Sequence, residues 1–352
     1  MSAPPDPALE TLFLPFKAGL LPWPAAPVLF LRARFGPVLA GFPNVICEQS
    51  FKPEADLLTN AGFRLAPADE TIAYPLVLVL LPRQRQEARA LLARAASRTS
   101  PGGRVVVCAG NQDGARSGEA DLRALLGAAT VESKHKCRVC WSDTLSGEIA
   151  RNLLEAWLEL DAPRPLEDAR FVSRPGLFAW DHVDAGSRLL ADQLPATLAG
   201  DAADLGAGFG YLSARLLERC PAVQSVDLYE AEARALALAE QNLRNFPSPA
   251  RLGFHWHDVT QGLPTRHDVI LTNPPFHGLT RTDRPDLGQQ FIRAAADALR
   301  ANGELWLVAN RHLPYEALLM ARFQRVVTVA DEAGFKVLRA TGVTPPANGK
   351  TR

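Results

Sequence analysis

The chain has 352 residues, of which 47% are hydrophobic, and its 38 basic side chains are balanced by 38 acidic ones. This length is comfortable for two soluble domains, and the balanced charge means that binding to a nucleic acid would require a local basic patch. The sequence has no long apolar run, no signal-peptide pattern and only five cysteines, so we expect a cytoplasmic protein without a membrane span or a disulfide framework.

The first half predicts an α/β domain that lacks a ligand-binding turn. A proline-rich loop at 21–27 precedes an apolar strand, YPLVLVLLP, at 74–82. A helix at 85–103 ends in Gly-Gly, and the strand RVVVCAG follows. The segment NQDGARSGEADL at 111–122 is predicted to be a loop that leads into another helix. No glycine-rich fingerprint occurs in this half.

A linker is predicted at 161–176, DAPRPLEDARFVSRPG, because this stretch is rich in proline and charge and follows a helical pattern. We therefore expect a first domain over 1–160 and a second over 177–345.

The second half alternates strands and helices. The predicted strands are DAADLG, VQSVDLYE, RLGFHWHDV, HDVILTN and ELWLVAN, and the predicted helices are YLSARLLERC, AEARALALAEQNLRNF and LGQQFIRAAADALRANG. The last helix is expected to end at Gly303 as a C-cap, and the stretch FQRVVTVADEAGFKVLRAT is expected to form a hairpin. This order predicts a mostly parallel sheet with an antiparallel edge. Because the first half repeats part of the order, it is either a duplicated domain that lost its ligand site or an unrelated α/β domain.

A glycine-rich turn, DLGAGFG, lies between the first strand and the first helix of the second half. Gly206, Gly208 and Gly210 would let the backbone turn tightly and approach a ligand. Asp204 precedes the first glycine by two residues, which is not part of the dinucleotide fingerprint. An acid at this place is typical of a methyltransferase turn, where it reaches the amino group of S-adenosylmethionine.

Two further acids follow the next strands. Glu230 ends VQSVDLYE, where a carboxylate commonly accepts from both ribose hydroxyls of a nucleotide. The alternatives are an acid that interacts with the helix dipole, or Asp227 in the ribose role. Asp258 ends the following strand and could accept from an adenine amino group, or it could be an ordinary loop acid.

The stretch NPPF at 273–276 predicts a site that holds an amino group. The side-chain carbonyl of Asn273 and the backbone carbonyl of Pro274 can accept both N–H bonds of a conjugated amine, while Pro274 and Pro275 keep the backbone rigid. Phe276 can stack on a base. The motif indicates methylation of a planar nitrogen, and Asn273 is also expected to contact the cofactor. A rigid turn without a function would give the same prolines.

These motifs, with the segments at 176–194, 303–319 and 334–340, resemble the bacterial ribosomal RNA small subunit methyltransferase C family. Stretches at 111–122 and 133–140 are similar to the degenerate N-terminal domain of that family. The resemblance implies an α/β fold of two tandem Rossmann-like methyltransferase domains, the N-terminal one degenerate and the C-terminal one a mostly parallel seven-stranded sheet with a terminal antiparallel hairpin.

The resemblance also implies the activity, which is methyl transfer from S-adenosylmethionine to the exocyclic N2 of a guanine in 16S rRNA. Because NPPF indicates a planar nitrogen as the methyl acceptor but does not identify the substrate molecule, three alternative functions stay open. They are a large-subunit guanine-N2 methyltransferase, a protein-glutamine methyltransferase and a non-catalytic RNA-binding assembly factor. The expected partner is 16S rRNA or the small ribosomal subunit, and we expect a monomer without a metal or a stable protein partner.

Several other residues are candidates for the site. The segment before the glycine turn, which in such enzymes packs over the methionine end of the cofactor, contains Phe178, Asp184 and Gly186. Candidate RNA contacts lie in the loop after NPPF and after the ELWLVAN strand: His277, Arg281, Arg284, Asn310 and His312, with Tyr315 beside them. Each of these could equally be a solvated loop residue.

The basic cluster SKHKCR at 133–138 is a further candidate RNA contact. Cys137 and Cys140 form a single CxxC, which without a second pair is weak evidence for zinc and is better explained by structural thiols.

Overall fold

A computed structural model describes residues 6–67, 71–145, 149–166, 170–275 and 285–344. The chain forms two compact units, of which the first comprises Met1–Pro163 and Arg174–Gly176, and the second comprises Arg164–Ser173 and Leu177–Arg352. Within the described ranges each unit contains a sheet of seven strands. None of the described helices is both long enough and apolar enough to cross a membrane.

The first unit is built from seven strands and six helices within the described ranges. Its strands are β1 (Val28–Leu31), β2 (Val45–Glu48), β3 (Arg64–Leu65), β4 (Tyr74–Leu80), β5 (Thr99–Gly110), β6 (Ala129–Lys134) and β7 (Cys137–Ser142). Its helices are α1 (Pro7–Leu12), α2 (Leu14–Lys17), α3 (Lys52–Asn60), α4 (Arg85–Ser97), α5 (Ala115–Leu126) and α6 (Arg151–Leu158).

The second unit begins with a short antiparallel pair, β8 (Arg164–Pro165) and β9 (Val172–Ser173). The strands of its main sheet are β10 (Ala199–Leu205), β11 (Ala222–Glu230), β12 (Arg251–Trp256), β13 (His267–Thr272), β14 (Leu299–Asn310), β15 (Phe323–Glu332) and β16 (Phe335–Val343). Its helices are α7 (Ala185–Gln193), α8 (Tyr211–Arg219), α9 (Ala233–Leu243), α10 (Pro285–Ala298) and α11 (Glu316–Arg322).

The two sheets have the same topology. Their orders are β3-β2-β1-β4-β5-β7-β6 and β12-β11-β10-β13-β14-β16-β15. In each sheet the first five strands are parallel, and the sixth, β7 or β16, is antiparallel to both of its neighbours. The central strands are apolar on both faces, as in Val269 to Leu271, because helices cover both sides of a parallel sheet. The predicted fold and the terminal hairpin are confirmed.

The predicted ends of two helices are wrong, and for the same reason. Helix α10 ends at Ala298 rather than at Gly303, and β14 begins at the next residue. The register then shifts, so that His267 pairs with Leu299 but Val269 pairs with Glu304. A Cβ on Gly303 would lie 3.0 Å from the carbonyl oxygen of Asp268. This glycine therefore allows a close approach of two strands and does not cap a helix.

The first unit repeats this irregularity. Helix α4 ends at Ser97, strand β5 starts at Thr99, and the register shifts between Tyr74 and Leu76. A Cβ on Gly103 would lie 2.8 Å from the carbonyl oxygen of Pro75. A shared bulge at the same place in both sheets supports duplication over an unrelated first domain.

The predicted loop at 111–122 is also wrong in part, because helix α5 begins at Ala115 inside it. Gly118 lies within this helix. Its Cβ would lie 2.4 Å from a side-chain carbon of Leu81, so this glycine serves helix packing rather than a turn.

Candidate active site

The candidate site lies at the carboxyl edge of the second sheet, where three neighbouring strands end. Leu205 of β10 pairs with Tyr229 of β11 on one side and with Thr272 of β13 on the other. The residues that follow these pairs, Gly206, Glu230 and Asn273, therefore leave the sheet side by side. In open α/β sheets ligands bind at this edge.

The glycine turn after β10 needs its glycines. Gly206, Gly208 and Gly210 have φ angles of 73°, 56° and 89°, in the left-handed region that side chains with a Cβ rarely adopt. The amides of Gly206 and Ala207 both donate to the carbonyl oxygen of Tyr229, at 2.9 and 3.2 Å. A Cβ on Gly208 would meet no described atom within 4 Å, so none of the described residues fills the space at this point of the turn.

Asp204 is fully buried beneath this turn. Its Oδ2 accepts from the amide and the hydroxyl of Ser213, at 3.1 and 2.7 Å. Its Oδ1 has no hydrogen-bond partner among the described residues. Burial raises the pKa of this carboxyl to about 7, although the bonds from Ser213 act in the opposite direction. A buried acid with one unpaired oxygen is suited to a cationic or N–H-bearing ligand.

Glu230 lies at the end of β11, partly buried. Its Oε2 accepts from the amide of Gly208 and its Oε1 from the amide of Glu232, both at 2.8 Å. Burial raises the pKa of Glu230 despite these bonds. The alternative ribose acceptor, Asp227, lies three residues before the end of the strand and bonds to Nε2 of His255 at 2.8 Å. Glu230 is thus the acid that reaches the edge.

Asp258 caps a short 3-10 turn, Val259–Gln261, after β12. Its Oδ1 accepts from the amide and the hydroxyl of Thr260, at 2.9 and 2.7 Å, and Nε2 of Gln261 donates to its Oδ2 at 3.3 Å. These bonds fix the carboxylate, and among the described residues Oδ2 has only the long contact with Gln261.

Asn273 follows β13, and its side-chain amide is held at two points. Its Nδ2 donates to Oδ2 of Asp184 and to Oγ of Ser187, both at 2.8 Å. Because a carboxylate only accepts, the amide nitrogen must face Asp184 and the carbonyl oxygen must point away. Pro274 is buried and Pro275 is partly buried, so the next two backbone units are also fixed.

Asp184 is the N-cap of α7, where its Oδ2 also accepts from the amide of Ser187 at 2.8 Å. Gly186 lies between them, and its Cβ would come within 3.1 Å of that Oδ2 and 3.0 Å of Phe335. Sequence reasoning included Asp184 and Gly186 but missed Ser187. The Asp-x-x-Ser spacing at the start of a helix was the available signal.

Of the other predicted site residues, some lie at the protein surface and one is buried in the core. Phe178 is 61% exposed, His312 is exposed, and Asn310 is partly buried at the end of β14. Tyr315 is fully buried, and Gly288 approaches so closely that a Cβ there would lie 1.9 Å from the phenolic oxygen. Its expected place at the edge of the site is therefore wrong. The predicted residues Phe276, His277, Arg281 and Arg284 lie outside the described residues.

In the first unit, Cys137 and Cys140 are buried on β7. No group of histidine, cysteine or acidic side chains within the described ranges could hold a metal ion. The basic cluster at 133–138 spans the turn between β6 and β7, where Lys134, His135 and Lys136 are exposed.

The register shows what replaced the glycine turn in the first unit. Leu31 pairs with Glu48 and Val79, as Leu205 pairs with Tyr229 and Thr272. The stretch FLRARFG at 30–36 therefore corresponds to DLGAGFG at 204–210, with arginines in place of the first two glycines.

Both arginines bond to other residues of the first unit. Arg32 keeps a left-handed φ of 51° and donates to the carbonyl oxygen of Leu80 at 3.2 Å. Leu80 occupies the position that corresponds to Asn273. Arg34 forms an ion pair with Asp6 at 2.8 Å. The counterpart of the glycine turn thus carries two long side chains that bond to residues of the first unit itself.

Comparison with known proteins matches both units. Residues 168–339 match the methyltransferase small domain family, and residues 48–159 match the methyltransferase small domain N-terminal family. The ribosomal RNA small subunit methyltransferase C of Yersinia enterocolitica is 30% identical over 298 residues, which is 83% of this chain and 82% of that protein. The same enzyme of Pseudomonas entomophila is 30% identical over 277 residues, 77% of this chain and 80% of the relative.

Two further comparisons bear on the substrate. The ribosomal RNA large subunit methyltransferase G of Alcanivorax borkumensis is 38% identical over 182 residues, but these are 51% of this chain and 46% of that one. The solved structure of a T. thermophilus 16S rRNA N2 methyltransferase in complex with AdoMet and guanosine has a TM-score of 0.76 at 25% identity. The superposition includes 96% of this chain and 92% of the T. thermophilus chain.

Proposed function

Because the chain belongs to the ribosomal RNA small subunit methyltransferase C family, we propose that it transfers a methyl group from S-adenosylmethionine to the exocyclic N2 of a guanine in 16S rRNA. The observation that carries the proposal is the fixed amide of Asn273 beside the glycine turn. An acceptor for an amino group lies next to a loop that is open to a ligand.

The residues present fit the cofactor. The unpaired Oδ1 of Asp204 would accept from its amino group, Glu230 would accept from its ribose hydroxyls, and Asp258 would accept from its adenine amino group. The open space at Gly208 leaves room for close backbone approach. When bound, S-adenosylmethionine supplies an electrophilic methyl group on a sulfonium.

The residues of this chain would act by positioning the substrate amine relative to the methyl donor. The lone pair of the N2 amine is conjugated with the purine ring, so the amine is a poor nucleophile until both of its N–H bonds are held. The carbonyl oxygens of Asn273 and Pro274 would accept those two bonds and turn the lone pair towards the methyl donor. Preorganised acceptors and alignment would supply the rate as the new N–C bond forms and the S–C bond of the donor breaks. No strong general base is required, because the methylated amine is acidic and can release one proton late, after the transfer.

Pro275 would keep the acceptors rigid, and Phe276 would stack on the base that has left its helix. The name of the structural neighbour assigns its reaction to guanine 1207, and we propose the equivalent nucleotide as the target. His277, Arg281, Arg284, Asn310 and His312 remain proposed RNA contacts. The proposal includes a cytoplasmic monomer that needs no stable protein partner.

The alternatives are less well supported. The large-subunit relative matches about half of each chain, whereas the small-subunit relatives match both units. A protein-glutamine substrate would use the same acceptors, but no relative described above acts on protein. A non-catalytic assembly factor would have no need for an open glycine turn and a fixed Asn273.

Transfer of labelled methyl groups tests the proposal. Small subunits from a strain that lacks the enzyme should accept label, and large subunits from the same strain serve as the control. Asn273→Ala should lower kcat at least about 100-fold, the scale of losing one preorganised acceptor. Label on large subunits alone, or a near-normal rate in the variant, would refute the proposal.

A further inference from the structure

Asn273 is useful as an acceptor only if its amide cannot rotate. A free asparagine side chain can present either oxygen or nitrogen, because the two ends are nearly the same shape. If the amide nitrogen faced the target amine, two hydrogen-bond donors would face each other and no hydrogen bond could form. Something in the fold must therefore choose the orientation.

Two side chains from the start of α7 make that choice. Oδ2 of Asp184 and Oγ of Ser187 each accept from Nδ2 of Asn273 at 2.8 Å, so both amide hydrogens are used. Asp184 can only accept, which excludes the flipped amide. Ser187 supplies the second acceptor and thereby also fixes rotation about the last bond of the side chain.

We propose that Ser187 and Asp184 are positioning residues that hold the Asn273 carbonyl oxygen towards the amino group of the substrate. This inference rests on the proposed function, since it concerns the same reaction. Helix α7 thus has a task in the reaction besides packing: its N-terminal turn sets the orientation of a residue 86 positions further along the chain.

Ser187 can be tested without disturbing the helix. The bond that caps α7 runs from the backbone amide of Ser187 to Asp184, and it does not involve the hydroxyl. Ser187→Ala therefore removes the contact with Asn273 and keeps the cap. Ser187→Thr restores a hydroxyl at the same carbon and is the matched control.

We expect Ser187→Ala to lower kcat about tenfold, the effect of one lost hydrogen bond of ordinary strength, with the Kd for S-adenosylmethionine unchanged and the melting temperature lowered only slightly. Ser187→Thr should recover most of the rate. A kcat for Ser187→Ala equal to that of the wild type, in an enzyme that does methylate guanine, would overturn the inference and leave the proposed function intact.

A second measurement does not depend on catalytic activity. In the wild type the side-chain NH2 of Asn273 should exchange slowly with solvent, because both hydrogens are bonded, and in Ser187→Ala the exchange should be faster. Wild-type protein without guanine methylation would refute the proposed function, whatever the exchange rates. Fast exchange of the Asn273 amide in the wild type would refute the fixed orientation itself.

A different observation concerns how a chain without net charge holds RNA. A cleft of about 480 Å³ in the second unit is lined by Arg170, Arg188 and Arg215, with Asp192 as its acidic lining residue and Phe171 and Tyr211 as aromatic ones. Arg188 follows Ser187 and Tyr211 follows Gly210 in the chain, so two lining residues of the cleft are the immediate sequence neighbours of candidate-site residues.

Part of this positive charge is already balanced. Glu218 pairs with both Arg170 and Arg215, and Asp192 lies 3.9 Å from Arg215. Nε of Arg215 is nevertheless buried without a hydrogen-bond partner among the described residues. Arg188 is exposed, and no ion pair or hydrogen bond of its side chain occurs within the described ranges.

We infer that this cleft binds the phosphate backbone of the substrate RNA next to the target nucleotide, with Arg188 as the main contact. Arg188→Ala should weaken binding to unmethylated small subunits several-fold and reduce the slope of log affinity against log salt by about one. The Kd for S-adenosylmethionine should not change.

Arg325→Ala is the matched control, because Arg325 is an exposed arginine of the same unit on the edge strand β15. We expect it to bind subunits like the wild type. Equal salt slopes for both variants and the wild type would overturn the assignment, and an equal loss in both variants would indicate general surface charge instead of this cleft.

Discussion

Asp204 combines complete burial with an unpaired carboxylate oxygen, so its protonation should be visible in the stability of the protein. The folded chain holds this proton up to about pH 7, whereas an ordinary aspartate releases it near 3.8. Between these values the folded state binds more protons, so the free energy of unfolding falls as the pH rises. Above about pH 7 this loss is complete.

Asp204→Asn removes that dependence. From about pH 5 to about pH 8 we expect the free energy of unfolding of the variant, relative to the wild type, to rise by about 2 kcal/mol, measured by denaturant titration without cofactor. The same variant should bind S-adenosylmethionine more weakly, since it lacks the acid proposed to accept from the amino group. A difference that stays constant with pH would contradict a raised pKa at Asp204.

Some residues of the candidate site could be predicted from the sequence and others could not. The spacing of Asp204, Glu230 and Asn273 relative to predicted strands placed all three at one edge, because residues after parallel strands leave the sheet together. Ser187 could not be placed in the same way. Its partner lies 86 residues away, and only the packing of α7 on the sheet brings the two side chains together.

At the scale of elements, the glycine turn between β10 and α8 is the place where we propose that the cofactor binds. Gly208 and Gly62 both have positive φ angles, 56° and 85°, and at neither would a Cβ meet a described atom within 4 Å. A substitution by alanine therefore costs similar backbone strain, about 1 kcal/mol, at both positions.

Only one of these positions lies in the candidate site. We expect Gly208→Ala to raise the Kd for S-adenosylmethionine at least about tenfold, because the new methyl group would enter the space that the cofactor needs. Gly62→Ala should leave the Kd unchanged while lowering the melting temperature by a similar amount. Calorimetric titration distinguishes them, and equal affinities would contradict a cofactor at the turn.

Element types were predicted better than element ends. Alternating strands and helices and the terminal hairpin follow from apolar runs and turn residues. The error at Gly303 arose because a glycine after a helical pattern usually marks a cap, whereas here it serves a close approach to the carbonyl oxygen of Asp268 on the neighbouring strand. That requirement depends on a tertiary contact and leaves no local pattern.

At the scale of the whole molecule, two units of the same topology differ in their capacity for a ligand. In the first unit the stretch at 30–36 places Arg32 and Arg34 where the second unit has Gly206 and Gly208. The two arginines bond to Leu80 and Asp6. Two long, bonded side chains therefore stand where the proposed cofactor turn has glycines, and this is a physical reason for a duplicated domain to lose its site.

We therefore expect one molecule of S-adenosylmethionine per chain. Isothermal titration should give a stoichiometry near one, and Gly208→Ala should weaken all of the observed binding rather than half of it. A second binding event that persists in this variant would show that the first unit retains a site.

The central claim, a planar amino nitrogen of guanine in 16S rRNA as the methyl acceptor, is tested most directly by mapping the product at nucleotide resolution. Small subunits from a strain without the enzyme would be incubated with the protein and cofactor, and the rRNA analysed by mass spectrometry. We predict N2-methylguanine at a single position of 16S rRNA. A methyl group on a ring carbon, on a ribose oxygen or on a ribosomal protein would contradict it.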